Sequence, residues 1–153
     1  MPVCRMTPER PRSYEDFLKR VSPESVVHFD DGLPGFGEEG KFIILQDPDE
    51  TPFAWMQSLR TPKLAFVVTS PFVLFPDYRP DVPDDALSGL GSPTLDEVLV
   101  LCILRIVRSE PVELLTNLKA PIIINLRSLA ARQVVLLNES MYSERAAWRG
   151  GGS

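Results

Sequence analysis

Proline occupies 15 of the 153 positions, and no other feature restricts the fold of this chain more. Each proline fixes φ and lacks an N–H, which keeps it out of helix interiors and central strands. Nine glycines add further breaks. The expected product is a set of short elements joined by many turns.

Between these breaks lie runs of β-branched, aromatic and aliphatic residues closed by Pro, Gly, Asp or Asn, which is strand composition. The runs are Val26 to Phe29, Lys41 to Leu45, Phe53 to Leu59, Leu64 to Thr69, Val98 to Val107, Ile122 to Leu126 and Gln133 to Leu137. In the third, Phe53, Trp55 and Leu59 share a face with Gln57, and Ala54, Met56 and Ser58 share the other. Period-2 alternation predicts that the larger face looks into the core. Val98 to Leu104 has no polar position, so it reads either as a strand covered on both sides or as a buried helix. The β-branched Ile106 and Val107 beyond it favour the strand.

Helical signals are short. Ser13-Tyr-Glu-Asp16 has the form of a capping box ahead of Phe17, Leu18 and Val21, although an edge strand fits the same residues. Pro83 to Gly89 begins with proline and acids and ends with glycine, which suits one or two helical turns. Val112 to Leu118 is a third candidate. The predicted fold is therefore mainly β, an antiparallel barrel-like sheet of about seven strands with two or three short helices. At this length one core is expected. No stretch approaches the roughly 18 apolar residues of a membrane span, and the N-terminus has no apolar signal core, so a cytoplasmic protein with no membrane association is expected.

The net charge of −5 is unevenly placed. Residues 1 to 25 hold five basic and four acidic residues, residues 26 to 97 hold four and thirteen, and residues 98 to 153 hold seven and four. A nucleic-acid binder needs a basic stripe to displace counterions, and the acidic middle opposes one, so direct nucleic-acid binding is not expected. A basic protein partner suits it. An acidic surface that only confers solubility is the alternative.

Catalytic parts are scarce. The single histidine, His28, sits on a short strand beside a turn, where a structural role is the expectation. One histidine and the two separated cysteines, Cys4 and Cys102, cannot build a structural zinc site. Cys102 lies in the most apolar run and is expected to be a buried, inert thiol. Gly32 to Gly40 superficially resembles a phosphate loop, but no Lys-Ser/Thr follows and its acids repel phosphate. No nucleophile elbow is present. A protein-binding domain, without enzymatic activity, cofactor or metal, is the expected class. A hydrolase or sugar-binding barrel using paired carboxylates is the competing one.

Binding residues are sought at the ends of apolar runs. Phe72 to Tyr78 follows Pro71 and places Phe75, Asp77 and Tyr78 together, with the acid and the tyrosine expected at the surface. Asn117, Asn125 and Asn138 flank strands, where an asparagine either bonds its own backbone in a turn or presents its amide to a partner. Structural roles are expected for Gly32, Pro34, Gly35 and Phe36 in the turn of Asp30 to Phe36, and for the strand aromatics Trp55 and Phe66.

Taken in order, Phe29-Asp-Asp-Gly-Leu-Pro-Gly-Phe36, Lys41 to Leu45, Pro52 to Ser58, Leu64 to Val68, Pro71 with Phe75-Pro-Asp-Tyr78, Thr116 to Ile122 with Asn125, and Gln133 to Leu136 resemble the flagellar assembly factor FliW family. These motifs span roughly residues 26 to 142. The resemblance implies a β domain over residues 26–145, preceded by an extension of residues 1–25 and followed by a flexible tail of residues 146–153. It further implies two partners, flagellin and a CsrA-type RNA-binding repressor dimer, with repression of flagellin mRNA relieved when the repressor is captured. A flagellin-binding chaperone or a general interaction module is the alternative. The chain differs from the family pattern at both ends: no glycine-containing strand precedes residue 25, and the segment after Tyr142 lacks the usual histidine and aliphatic residues.

Overall fold

The computed structural model describes residues 26–30, 32, 40–46, 53–109 and 111–149. Strands β1 (Val26–His28), β2 (Lys41–Gln46), β3 (Phe53–Ser58) and β4 (Ala65–Thr69) form an antiparallel meander that continues into β5 (Val98–Ser109). The far half of β5 pairs with β6 (Val112–Thr116), which pairs with β9 (Ala146–Arg149). The near half pairs with β7 (Ile122–Asn125), and β7 with β8 (Ala131–Gln133). Two short helices cross over from β4 to β5, α1 (Pro71–Leu74) and α2 (Asp84–Gly89). The mainly antiparallel β class is as expected, with nine strands among the described residues.

The sheet is not closed into a barrel. β1 meets the approach to β8 through one isolated parallel bridge, His28 to Ala130, and one bond from the His28 N–H to the Leu129 carbonyl at 3.0 Å. A three-residue β8 is too short to convert that seam into a ladder.

β5 explains the uninterrupted apolar run. Alternate residues belong to opposite clusters: Leu101 packs with Val27, Phe42, Met56, Val68 and Ile122, while Cys102 and Leu104 pack with Phe53, Val67, Leu74 and Leu114. Both faces are covered, so no polar residue is tolerated. β3 is likewise covered on both faces, and the predicted one-sided burial there is corrected. Ala54 and Met56 point into the first cluster and Phe53 into the second, with Trp55 half-buried against it. Gln57 and Ser58 are buried as well; the Gln57 amide donates to the Ser58, Pro62 and Leu64 carbonyls at 3.0 to 3.2 Å, and the Ser58 hydroxyl accepts the Arg60 and Thr61 N–H groups.

Three further expectations are corrected. Residues 112–116 are β6, not helix: Val112, Leu114 and Thr116 are buried and the residues between are not, a period of two rather than 3.6. The strand placed at Gln133 to Leu137 ends at Gln133, because Pro121 opposite it has no N–H to continue a ladder; Val134 and Leu136 instead reach the Pro121 and Lys119 carbonyls. Ala146 to Arg149, expected to lie in a flexible tail, are held as β9 along β6. The candidate helix at residues 13–21 lies outside the described residues.

Candidate protein-docking surface

Tyr78 anchors the segment that joins α1 to α2. Only 2% exposed, it donates its hydroxyl to the Leu118 carbonyl at 2.7 Å and packs edge-on against the Tyr142 ring at 4.8 Å and near the Phe72 ring at 5.7 Å. Burial, the nearby Cys102 and Tyr142 raise its phenol well above the ordinary tyrosine range. The predicted exposure of Tyr78 is therefore corrected: the ring fills a core formed with Leu118 and Leu136, against which Phe75 lies half-buried. Asp77 is exposed as expected, and Phe75 bridges this cluster and the one beneath α1.

Asn138 ties this segment to the one after β8. Its Oδ1 accepts the Asp81 N–H at 3.0 Å and its Nδ2 donates to the Arg79 carbonyl at 2.8 Å, while the Leu137 N–H reaches the Asp81 carbonyl and the Arg79 N–H reaches the Tyr142 hydroxyl. The two segments, residues 71–82 and 134–142, thus form one platform over the Tyr78 core.

Its outer surface is apolar. Phe72 is 41% exposed, Val73 54%, Leu137 65% and Met141 70%, and Asn138 Nδ2 lies 3.8 Å from the Met141 sulfur. Residues 77–85 carry Asp77, Asp81, Asp84 and Asp85, all exposed, against the single cation Arg79; Glu139, in the other segment, is exposed as well. Exposed apolar side chains rimmed by charge are the composition of protein-docking surfaces. Neither Leu137 nor Met141 is singled out by the sequence: Leu137 reads as the end of a strand that stops at Gln133, and nothing local marks Met141.

The other predicted binding residues go elsewhere. Asn125 is fully buried; its Nδ2 donates to the Leu90 carbonyl at 2.7 Å and its Oδ1 accepts the Arg127 N–H at 2.9 Å. It fixes the β7–β8 turn, where Arg127 also pairs with Glu97 at 3.1 Å. Glu97, which accepts the Thr94 N–H and hydroxyl, is held below the usual carboxylate range chiefly by that backbone bond. Asn117 is half-buried, its Oδ1 accepting the Lys119 N–H at 3.0 Å, and it lines a different groove. Asn117 and Asn125 are therefore turn formers first, whereas Asn138 is a cross-segment tie.

Among the predicted structural residues, Gly32 has φ +72°, the left-handed region that glycine enters without penalty. Trp55 and Phe66 are half-buried against the second and first clusters. Pro34, Gly35 and Phe36 lie outside the described residues. His28 contacts Asp30 Oδ1 locally at 3.3 Å, and its Nε2 contacts the Ser128 carbonyl at 3.1 Å, which holds the β1 end to the β7–β8 turn. Cys102 is a free, buried thiol, pushed up to about 11 by burial despite an opposing hydrogen bond with Thr116. Among the described residues no metal-holding cluster occurs, and no helix is long and apolar enough to cross a membrane.

A family model described as FliW protein matches residues 18–147. The chain is 36% identical over 135 residues to the flagellar assembly factor FliW of Bacillus velezensis, covering 88% of this chain and 92% of that protein. It is 38% identical over 126 residues to that of Bacillus subtilis, covering 82% and 86%. A solved crystal structure of the flagellar assembly factor FliW superposes with a TM-score of 0.75 at 35% identity, over 83% of this chain and 87% of that one.

Proposed function

This chain belongs to the FliW family of flagellar assembly factors, and from that premise we propose that it acts in the cytoplasm by protein contact, without catalysis. Its partners are a CsrA-type RNA-binding repressor dimer and flagellin, and capture of the repressor relieves repression of flagellin mRNA. The observation that carries this reading is the platform: Phe72, Val73, Leu137 and Met141 exposed beside the acids Asp77, Asp81, Asp84 and Asp85.

The chemistry matches a basic partner. An RNA-binding repressor carries positive charge where it holds phosphate, so an acidic platform attracts it over a Debye length of about 8 Å at physiological salt. Once docked, the same acids sit near the RNA path and repel phosphate. The apolar residues supply area, and Asp77 and Asp81 supply orientation and association rate. Phe75 and Asn138 shape the platform from beneath, and Tyr78 supports it.

The test combines the purified chain, the CsrA of the same organism and a labelled flagellin leader RNA. RNA release with co-elution of the two proteins is expected. RNA that stays bound at saturating chain, with no complex eluting, refutes the reading. A complex with flagellin alone supports a chaperone instead.

A further inference from the structure

On the other side of the segment holding Leu118, an open groove of about 410 Å³ lies between β5, the end of β6 and the turn before β9. Its floor is apolar, made of Phe66, Ile103 and Leu115, each half-buried. Its rim carries Arg105 and Arg145, both exposed, with Glu144 as the opposing charge. Among the described residues, neither guanidinium forms an ion pair, whereas Arg127 and Arg149 do. Asn117 adds an amide, since its Oδ1 is taken by the Lys119 N–H and its Nδ2 faces no protein acceptor among the described residues.

We propose that this groove is a second protein-binding site, which takes an extended peptide carrying an apolar side chain next to a carboxylate. The apolar side chain rests on Phe66, Ile103 and Leu115, and the carboxylate lies between Arg105 and Arg145. The occupant follows from charge. Two guanidinium groups against one carboxylate leave an excess positive charge at the rim, and a guanidinium fork matches a carboxylate in two-point geometry. An open groove of this size on a strand surface suits one or two side chains of an extended segment rather than an enclosed small molecule. This site is distinct from the acidic platform and of opposite sign, so it stands whether or not the platform binds a repressor.

The experiment uses the full chain and two fluorescein-labelled peptides, Gly-Leu-Glu-Phe-Asp-Gly and its counterpart with Lys for both acids, followed by fluorescence anisotropy. The acidic peptide should bind and the lysine peptide should not. The double substitution Arg105→Glu with Arg145→Glu should weaken the acidic peptide by about tenfold or more and bring in the lysine peptide, a reversal that misfolding cannot produce. Glu144→Gln should tighten the acidic peptide. Asp77→Lys, on the platform, should leave its affinity unchanged. The proposal is overturned if neither peptide binds, if the charge reversal at Arg105 and Arg145 changes nothing while the fold stays intact, or if Asp77→Lys alters acidic-peptide binding as much as the arginine pair does.

Discussion

Replacing Tyr78 with Phe removes one oxygen and keeps the ring. That oxygen donates to the Leu118 carbonyl at 2.7 Å, and Leu118 is only 5% exposed, so water has little access to take its place. A buried acceptor left without a donor costs about 1 to 3 kcal/mol. The ring contacts with Phe72 and Tyr142 survive. In a domain of this length each kcal/mol moves Tm by about 2 to 4 °C, so a fall of about 2 to 12 °C is expected. Tyr78→Ala also empties the ring's site, for about 3 to 5 kcal/mol more, a large part of the roughly 5 to 15 kcal/mol that a domain has. Urea unfolding checks both: the midpoint should fall for Tyr78→Phe with an unchanged slope, because the surface exposed on unfolding is the same. Partner affinity measured well below the melting temperature should stay within about twofold of the parent, a difference under 0.5 kcal/mol. If instead Tyr78→Phe keeps its midpoint and loses more than about tenfold in affinity, the hydroxyl belongs to an interface and the burial reasoning is wrong.

Asp77→Lys should lower partner affinity by more than about 1 kcal/mol, read by titration calorimetry, with stability changed by less than about 0.5 kcal/mol; unchanged affinity removes Asp77 from the interface. Phe72→Ser and Met141→Ser should weaken partner binding in the same assay while leaving the acidic peptide in the basic groove unaffected. Asn125→Ala leaves the Leu90 carbonyl and the Arg127 N–H unpartnered, which should cost about 2 to 4 kcal/mol in urea unfolding, and an unshifted midpoint would sink that assignment. Cys102 titrates near 9.0 when unfolded and at about 11 when folded, so the folded state retains its proton longer. Stability should therefore be level below pH 9 and fall as pH rises toward 11, by on the order of 2 kcal/mol, and Cys102→Ala should flatten that part of the curve.

Sequence reading succeeded where local chemistry and tertiary context agree. The apolar run of β5 is read as a two-faced strand because no polar residue interrupts it, and α2 is read from proline and acids at its start and glycine at its end. It failed where the partner strand decides. Val112 to Leu118 admits a helical reading, yet β5 alongside imposes a ladder, and the register shift between Ile106 and Arg108 fits β6 to it while leaving Val107 52% exposed. Closure of the sheet was equally illegible, since it depends on whether three residues of β8 reach β1.

The binding residues divide by the same rule. Asp77 follows from sequence because a charged residue in a turn has few places other than solvent, whereas Tyr78 beside it is equally at home at a surface or over a core. What decides is Leu118, forty positions away, whose carbonyl accepts the hydroxyl. Asn125 and Asn138 also look alike in sequence, each closing an apolar run, yet one is sealed beneath Leu90 and the other holds the platform loop at Arg79 and Asp81.

The uneven charge along the chain acquires a spatial meaning through the topology. The acidic stretch, residues 26 to 97, includes the crossover between β4 and β5, and a crossover lies on the surface because its irregular backbone needs water or capping partners. Four of its carboxylates accordingly collect between Asp77 and Asp85, outside the Tyr78 core. The basic stretch, residues 98 to 153, supplies β5, β6 and β9, and its Arg105 and Arg145, without an ion pair among the described residues, line one groove at the end of β6. Two surfaces of opposite sign therefore flank the segment around Leu118, each with apolar residues at its centre. Salt should weaken binding at both, yet substitutions that reverse charge on one should leave the other's ligand in place, because exposed charges more than about 8 Å apart are screened from each other at physiological ionic strength.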